Sequence, residues 1–194
     1  MTTILLAAGL SSRMGRNKLL LPYNGSTIIE NTLSSVLEVS ERVIVVTGFE
    51  REKIEDKLKK YRVEFVYNPD YEKGQRGSSI AGIKAIRDDD YAILPGDLPL
   101  LRADDIVPLI KALEEHSISR PVFHSIPGHP VCYRKENRDK LLSFEGTMKE
   151  YLKKEGIFNI PSSINTVYDT DTPEKYSSLL IYNGNPSVLE NNIN

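Results

Sequence analysis

Residues 2–18 read Thr2-Thr3-Ile4-Leu5-Leu6-Ala7-Ala8-Gly9-Leu10-Ser11-Ser12-Arg13-Met14-Gly15-Arg16-Asn17-Lys18. The first six form a short apolar run closed by glycine, which predicts a buried strand over Thr2–Ala7. No basic stretch precedes it, so it does not read as a signal peptide. It opens into a loop of small residues and cations. Apolar runs and longer amphipathic stretches then alternate along the chain. Arg42–Thr47 (Arg-Val-Ile-Val-Val-Thr), Val63–Tyr67 and Tyr91–Leu94 read as further strands. Between them fall helices. One starts on the capping box Thr27-Ile28-Ile29-Glu30 and runs to about Glu38; the others span Glu50–Lys60 and Gly77–Ile86. Beyond residue 100 the pattern predicts a helix over Ala103–His116 around Pro108, and short strands at Pro121–His124 and Pro130–Tyr133. A helix over Thr147–Glu155, a strand over Thr166–Asp169 and a helix begun by Thr172-Pro173-Glu174 follow, the last with proline at its first position. Near-continuous apolar strands alternating with helices mean an α/β fold around a mostly parallel sheet. The interruption around 120–135 marks a short antiparallel excursion. Residues 1–181 read as one domain, and 182–194, with five asparagines, as a flexible C-terminal tail.

Composition narrows the partners. The 194 residues suit one domain and are 40% hydrophobic; 25 basic against 27 acidic side chains give a net charge of −2. That balance excludes a dedicated nucleic-acid binder, which carries a basic excess. No run approaches the ~18 apolar residues of a membrane span, so no membrane partner is expected. The single cysteine, Cys132, cannot form an internal disulfide and points to a reducing compartment, the cytoplasm.

Ligands of open α/β sheets bind outside the carboxyl ends of the strands, which directs attention to three stretches. After Ala8, Gly9 and Gly15 lie six apart and no Gly-Lys-Ser/Thr follows, so the loop is neither a GxGxxG loop nor a P-loop. Its amides, Ser11 and Ser12 can still form an anion nest, with Arg13 and Lys18 as a forked and a point cation. The plainer reading is a basic surface turn. Asp97, in Leu94-Pro95-Gly96-Asp97-Leu98-Pro99, suits a Mg²⁺ ligand, since magnesium takes one or two carboxylates plus phosphates and water; it also suits a simple turn. Asp169 and Asp171 sit at alternating positions of the expected strand and so share a face; one could instead cap the next helix. Asp88-Asp89-Asp90 reads as a solvated turn. His129, in Gly128-His129-Pro130, forms no zinc pattern with His116, His124 and Cys132. Ser78 and Ser79 open a helix, where an N-cap role competes with ligand binding.

Taken in order, these stretches resemble a known family. Leu6–Gly15 with Lys18 resembles the opening signature of nucleotidyltransferases with a Rossmann-like, three-layer α/β fold, and Gly96-Asp97-Leu98-Pro99 resembles their metal-binding Gly-Asp-Met-Pro. Gly128-His129-Pro130-Val131 and Asp169-Thr170-Asp171-Thr172-Pro173-Glu174 narrow the likeness to the molybdenum cofactor cytidylyltransferase group of the MobA-like family, over about Thr2 to Leu180. The resemblance implies CTP and a phosphorylated pterin, molybdopterin, as substrates, Mg²⁺ as cofactor, and a molybdenum hydroxylase apoenzyme as recipient of the product. It implies that Arg13 and Lys18 hold the triphosphate and act with Asp97 in catalysis. Leu6, Ala7, Ala8, Gly9, Ser11, Ser12, Ser79 and Gly96 would border the nucleotide. Asp97 would bind the metal, with Asp171 or Asp169 as second ligand. Ala8 stands where guanylyltransferase relatives have glycine, which favours CTP over GTP. His129 and Pro130 fall on the pterin side. The chain departs from the family's Gly-Asp-x-Gly-Ala-Arg, reading Phe144-Glu145-Gly146-Thr147-Met148-Lys149, and lysine does not reproduce an arginine fork. Use of GTP or of another phosphorylated acceptor, and a non-catalytic cofactor carrier, are the competing readings.

Overall fold

The computed structural model describes residues 1–193. β1 (Thr2–Ala7) is buried at every residue. Two 3₁₀ turns, Ser12–Met14 and Lys18–Leu20, lead to a small hairpin of β2 (Pro22–Tyr23) and β3 (Ser26–Thr27). α1 (Ile28–Leu37) starts on the expected capping box, with the Glu30 carboxylate accepting from the Thr27 N–H at 3.1 Å. Then come β4 (Arg42–Thr47), α2 (Arg51–Leu58), β5 (Glu64–Tyr67), α3 (Gln75–Lys84), β6 (Tyr91–Pro95) and α4 (Ala103–Ala112). The second half holds β7 (Ile118–Phe123), β8 (Ile126–Pro127), β9 (Val131–Tyr133), α5 (Asn137–Ser143), α6 (Met148–Glu155), β10 (Phe158–Pro161), α7 (Pro173–Ile181) and α8 (Ser187–Glu190).

The main sheet runs β10-β7-β9-β6-β1-β4-β5, with β8 paired to β7. β6, β1, β4 and β5 are parallel neighbours, as are β10 and β7. β9 lies antiparallel to both β6 and β7, which is the excursion expected around 120–135. Successive strand residues face opposite layers. Leu5, Val43 and Val45 pack on Ile29 and Leu33 of α1 and Ile54 of α2. Ile4, Ile44 and Val46 pack on Ile83 of α3, with Leu141 of α5 and Tyr151 of α6 in the same layer. Each such fully buried side chain contributes ~1.5–3 kcal/mol. α3 approaches the sheet so closely that a Cβ on Gly82 would stand 2.5 Å from Cγ2 of Ile4. The architecture is the expected three-layer α/β sandwich. No helix among the described residues is long and apolar enough to cross a membrane.

The structure departs from the sequence reading at five points. Thr166–Asp169 is not a strand: a 3₁₀ turn covers Ile164–Thr166, and the Thr166 carbonyl accepts from the His129 N–H at 2.8 Å instead of joining a ladder. The last strand is β10, whose Phe-Asn-Ile-Pro sequence on an edge gives no apolar run. α4 ends at Ala112, because Leu113–Glu115 close in turns of i→i+3 bonds. α5 was not expected at all. The segment expected as a tail carries α8, which buries Leu189 completely.

Candidate active site

The loop after β1 is shaped by two left-handed residues, Ser11 (φ 53°) and Gly15 (φ 65°). They fold the chain back so that the Lys18 N–H donates to Ser11 Oγ at 3.2 Å. The Asn17 side chain accepts from the Leu19 N–H at 3.1 Å and starts the next turn. The loop thereby returns Lys18 to the end of the sheet it left.

Asp97 follows β6 and is fixed from two sides. The Gly96 N–H donates to the Leu6 carbonyl at 2.9 Å, prolonging the β1–β6 pairing. Thr32 of α1 donates its hydroxyl to the Gly96 carbonyl at 3.1 Å. Ser35, one turn on, donates to the Leu101 carbonyl at 2.5 Å. Asp97 is 4% exposed. Its Oδ2 pairs with Lys18 Nζ, while Oδ1 is buried without a partner. Lys18 Nζ also pairs with Asp171 Oδ1, and Arg13 closes on Asp171 Oδ2. Lys175 of α7 holds Asp169 Oδ1 at 2.9 Å.

Burial, together with Asp169 and Asp171 nearby, pushes the Asp97 carboxyl up. Burial opposes charge on Lys18 too, but Asp97 and Asp171 outweigh it and raise its ammonium above the ordinary value. For Asp171, Lys18 and Arg13 overcome burial and hold the carboxyl below its usual range. Asp97, Asp169 and Asp171 each bring one oxygen to a set whose members all lie within 4.8 Å of one another. Hard oxygen donors at that spacing, beside an Asp97 whose Oδ1 has no partner, fit a hard divalent cation such as Mg²⁺.

The three aspartates, Lys18 and His129 line one cavity of about 530 Å³, within the ~300–1,000 Å³ of small-molecule sites. Leu6, Ala8, Gly9, Ser11 and Gly96 line it as well. Ala7 belongs to the apolar layer against α1. Ser12 and Arg13 are exposed on the outer turn, and Pro130 is buried and does not line the cavity. Ser79 is buried and donates to the Gln75 carbonyl at 3.2 Å, because α3 begins two residues earlier than expected, at Gln75. Its neighbour Ser78 faces the cavity, with its hydroxyl held by Asn68 at 3.0 Å. Asp169 and Asp171 do converge, through a turn in which the Asp171 N–H donates to Asp169 Oδ1 at 3.0 Å. Burial pushes the His129 imidazole down to about 4, so it is neutral near pH 7, and its Nδ1 has no partner.

Sequence reasoning missed Thr32, Lys175, Ile126, Val167 and Ile193. Lys175 and Thr32 look like ordinary helix residues in sequence. The apolar three come from separate segments that only the fold joins.

Comparison with known proteins places the chain among nucleotidyltransferases. Molybdenum cofactor cytidylyltransferase of Escherichia coli (strain K12) is 33% identical over 133 residues, covering 68% of this chain and 69% of that protein. Bifunctional protein GlmU of Francisella philomiragia subsp. philomiragia is 34% identical over 146 residues, 72% of this chain but only 31% of that much longer protein. Rv0371c from Mycobacterium tuberculosis has a similar fold, with a TM-score of 0.81 at 20% identity over 92% of this chain and 96% of that one. The family model described as the MobA-like NTP transferase domain matches residues 3–156, from β1 through Asp97 and His129 to the end of α6. With a match over most of its length, the chain belongs to the MobA-like family of nucleotidyltransferases.

Proposed function

We propose that this chain moves CMP from CTP to the terminal phosphate of a molybdopterin-type acceptor, with Mg²⁺ as cofactor, in the cytoplasm. The observation that carries the reading is Lys18 bonded at once to Asp97 and Asp171 on a cavity bordered by a small-residue loop. The similarity to molybdenum cofactor cytidylyltransferase supports the acceptor, and Ala8 supports CTP over GTP.

An oxygen of the acceptor phosphate attacks the α-phosphorus of CTP. A new P–O bond forms as the bond to the β-phosphate oxygen breaks, and the electron pair leaves with pyrophosphate. An ionised phosphate gives up no proton, so no general base is required, and the work is positioning and charge neutralisation. Lys18 and Arg13 exchange their carboxylate partners for the triphosphate. Amides from Gly9 to Ser12 cradle it, with Leu6, Ala8 and Gly96 bordering the nucleotide and Ala7 packed behind them against α1. Ser79 reads the base once its hydroxyl turns from the Gln75 carbonyl, beside Ser78. Asp97, with Asp171 or Asp169, would hold the Mg²⁺, which when bound offsets charge on the phosphate oxygens. His129 and Pro130 fall on the acceptor side. The product would pass to a molybdenum hydroxylase apoenzyme.

One observation favours a different phosphorylated acceptor as the second reading. Among the described residues Lys149 is exposed on α6, away from the cavity, and no arginine lines it. A carrier without catalysis has no use for a Lys18–Asp97–Asp171 cluster. Calorimetry of CTP, GTP and ATP, each with Mg²⁺, tests the nucleotide; pyrophosphate release across a panel of phosphorylated acceptors tests the rest. The reading requires CTP to bind best and molybdopterin to turn over. Absence of triphosphate binding overturns it, and turnover with another acceptor alone replaces the acceptor.

A further inference from the structure

We infer that Ile193 forms part of the acceptor-side wall of the cavity, and that the C-terminal segment tunes the hold on the acceptor rather than on the nucleotide. This deepens the function proposed above and rests on it. α8 buries Leu189 among Ile164, Tyr168 and Leu179. Two bonds fix the residues after it: Asn192 Nδ2 donates to Ser178 Oγ at 3.1 Å, and the Ile193 N–H donates to the Glu190 carbonyl at 3.3 Å. The half-buried Ile193 packs on that cluster and lines the cavity. Val167 does both as well, from the turn that precedes Asp169.

With Ile126 and Pro127, these side chains make an apolar wall. It belongs to the part of the molecule that carries His129, whose N–H is tied to Thr166, whereas the loop at Gly9 belongs to β1. A phosphate has no use for such a wall and must lie at Lys18 and the carboxylates. What meets Ile193 is the remainder of the acceptor. The wall therefore suits a phosphate ester whose ring lays its face against these side chains, with polar groups at the ring edge within reach of His129, whose Nδ1 has no partner.

Steady-state kinetics on the full chain test this, with molybdopterin varied at saturating Mg²⁺–CTP and then the reverse. Ile193→Asp puts a carboxylate on the wall and should raise the acceptor KM about 10-fold, with kcat and the CTP KM moving less than about twofold. Ile193→Ala should shift the acceptor KM the same way by less, without placing a charge at the site. An unchanged acceptor KM in both, or a CTP KM that rises equally, overturns the inference. Absence of turnover by the wild-type chain with every acceptor instead overturns the proposed function, and needs no variant to show it.

A second measurement does not depend on turnover. Cys132 is fully buried, so Ile193→Cys supplies the one accessible thiol. Its modification by a disulfide reagent should be slowed by molybdopterin and not by Mg²⁺–CTP. Slowing by the nucleotide alone, or by neither ligand, overturns the inference.

Discussion

The two sides of the cavity are built on different physics. The side proposed for the nucleotide is charged and anchored in the sheet: β1 and β6 end beside each other, Leu6 and Thr32 pin Gly96, and Lys18 joins the two carboxylate loops. The other side, proposed for the acceptor, is apolar and assembled from the β7–β8 hairpin and the stretch after it, the turn at Ile164–Thr166 and the C-terminal segment. Its backbone is held by isolated bonds, such as His129 N–H to Thr166 O at 2.8 Å and Gly128 N–H to Pro121 O at 2.9 Å. On the proposed reading, the charged side serves the transfer step and the apolar side meets what receives the group. A family can thus keep one transfer chemistry and vary what receives the group.

The largest expected effect lies on the charged side. Asp97→Ala should lower kcat by about 10³-fold with any acceptor, since charge stabilisation at the reacting phosphorus goes with it. A quenched assay of pyrophosphate release measures it, and a fall confined to one acceptor would erase the distinction between the two sides. Lys18→Ala comes next, at about 10²-fold. It also leaves Asp97 and Asp171 facing each other without their shared cation, so Mg²⁺ binding should be retained or tightened while CTP binding weakens. Calorimetry with the metal alone and with Mg²⁺–CTP separates the two.

The contrast between the sides also decides what the sequence revealed. β1, β4 and the start of α1 fall at the predicted residues, because a fully apolar run and a capping box are local signals. Lys18, Asp97 and the Asp169–Asp171 pair could be picked out for the same reason: each lies in a short motif at a strand or turn end. Strand alternation, however, does not account for the aspartate pair. They converge through a turn that the Asp171 N–H closes on Asp169, not by alternation along a strand. Thr166–Asp169 looks like a strand because it is β-branched and aromatic, yet its Thr166 carbonyl is taken by the His129 N–H, in the stretch between β8 and β9. β10 was invisible because an edge strand with two exposed polar or proline positions carries no periodicity. Ile126, Val167 and Ile193 each look unremarkable in sequence, and only packing makes them one wall.

Gly128 offers a test confined to the acceptor side. A Cβ there would stand 2.6 Å from the Thr166 carbonyl oxygen and 3.0 Å from Cγ1 of Val167. Backbone cannot yield as a flexible side chain does, so Gly128→Ala should cost about 1–3 kcal/mol of stability by urea unfolding. It should raise the acceptor KM and leave Mg²⁺–CTP binding in place. An equal loss of nucleotide affinity would mean the two sides are mechanically coupled.

The smallest effect probes the support behind Asp97. α1 carries Thr32 and Ser35, and its first turn is closed by Glu30, which accepts from Ser26, Thr27 and Tyr61 and pairs with Lys60 at 2.8 Å. Burial works against its charge, but Lys60, Thr27 and Ser26 outweigh it and hold the carboxyl down to about 2. The unfolded chain protonates near pH ~4.3, above the folded value. The ionised form therefore adds stability above that pH, and the contribution is lost as pH falls from there through about 2. Glu30→Gln keeps a cap but loses the ion pair, so it should lower stability by about 1 kcal/mol at pH 7 and by progressively less as the solution is acidified below pH ~4. Urea titrations at pH 7, 5 and 3 measure the gap. If the gap closes while CTP affinity at pH 7 holds, the sheet and Thr32 suffice to keep Asp97 in place, and the charged side owes its rigidity to β1 and β6 rather than to the cap of one helix.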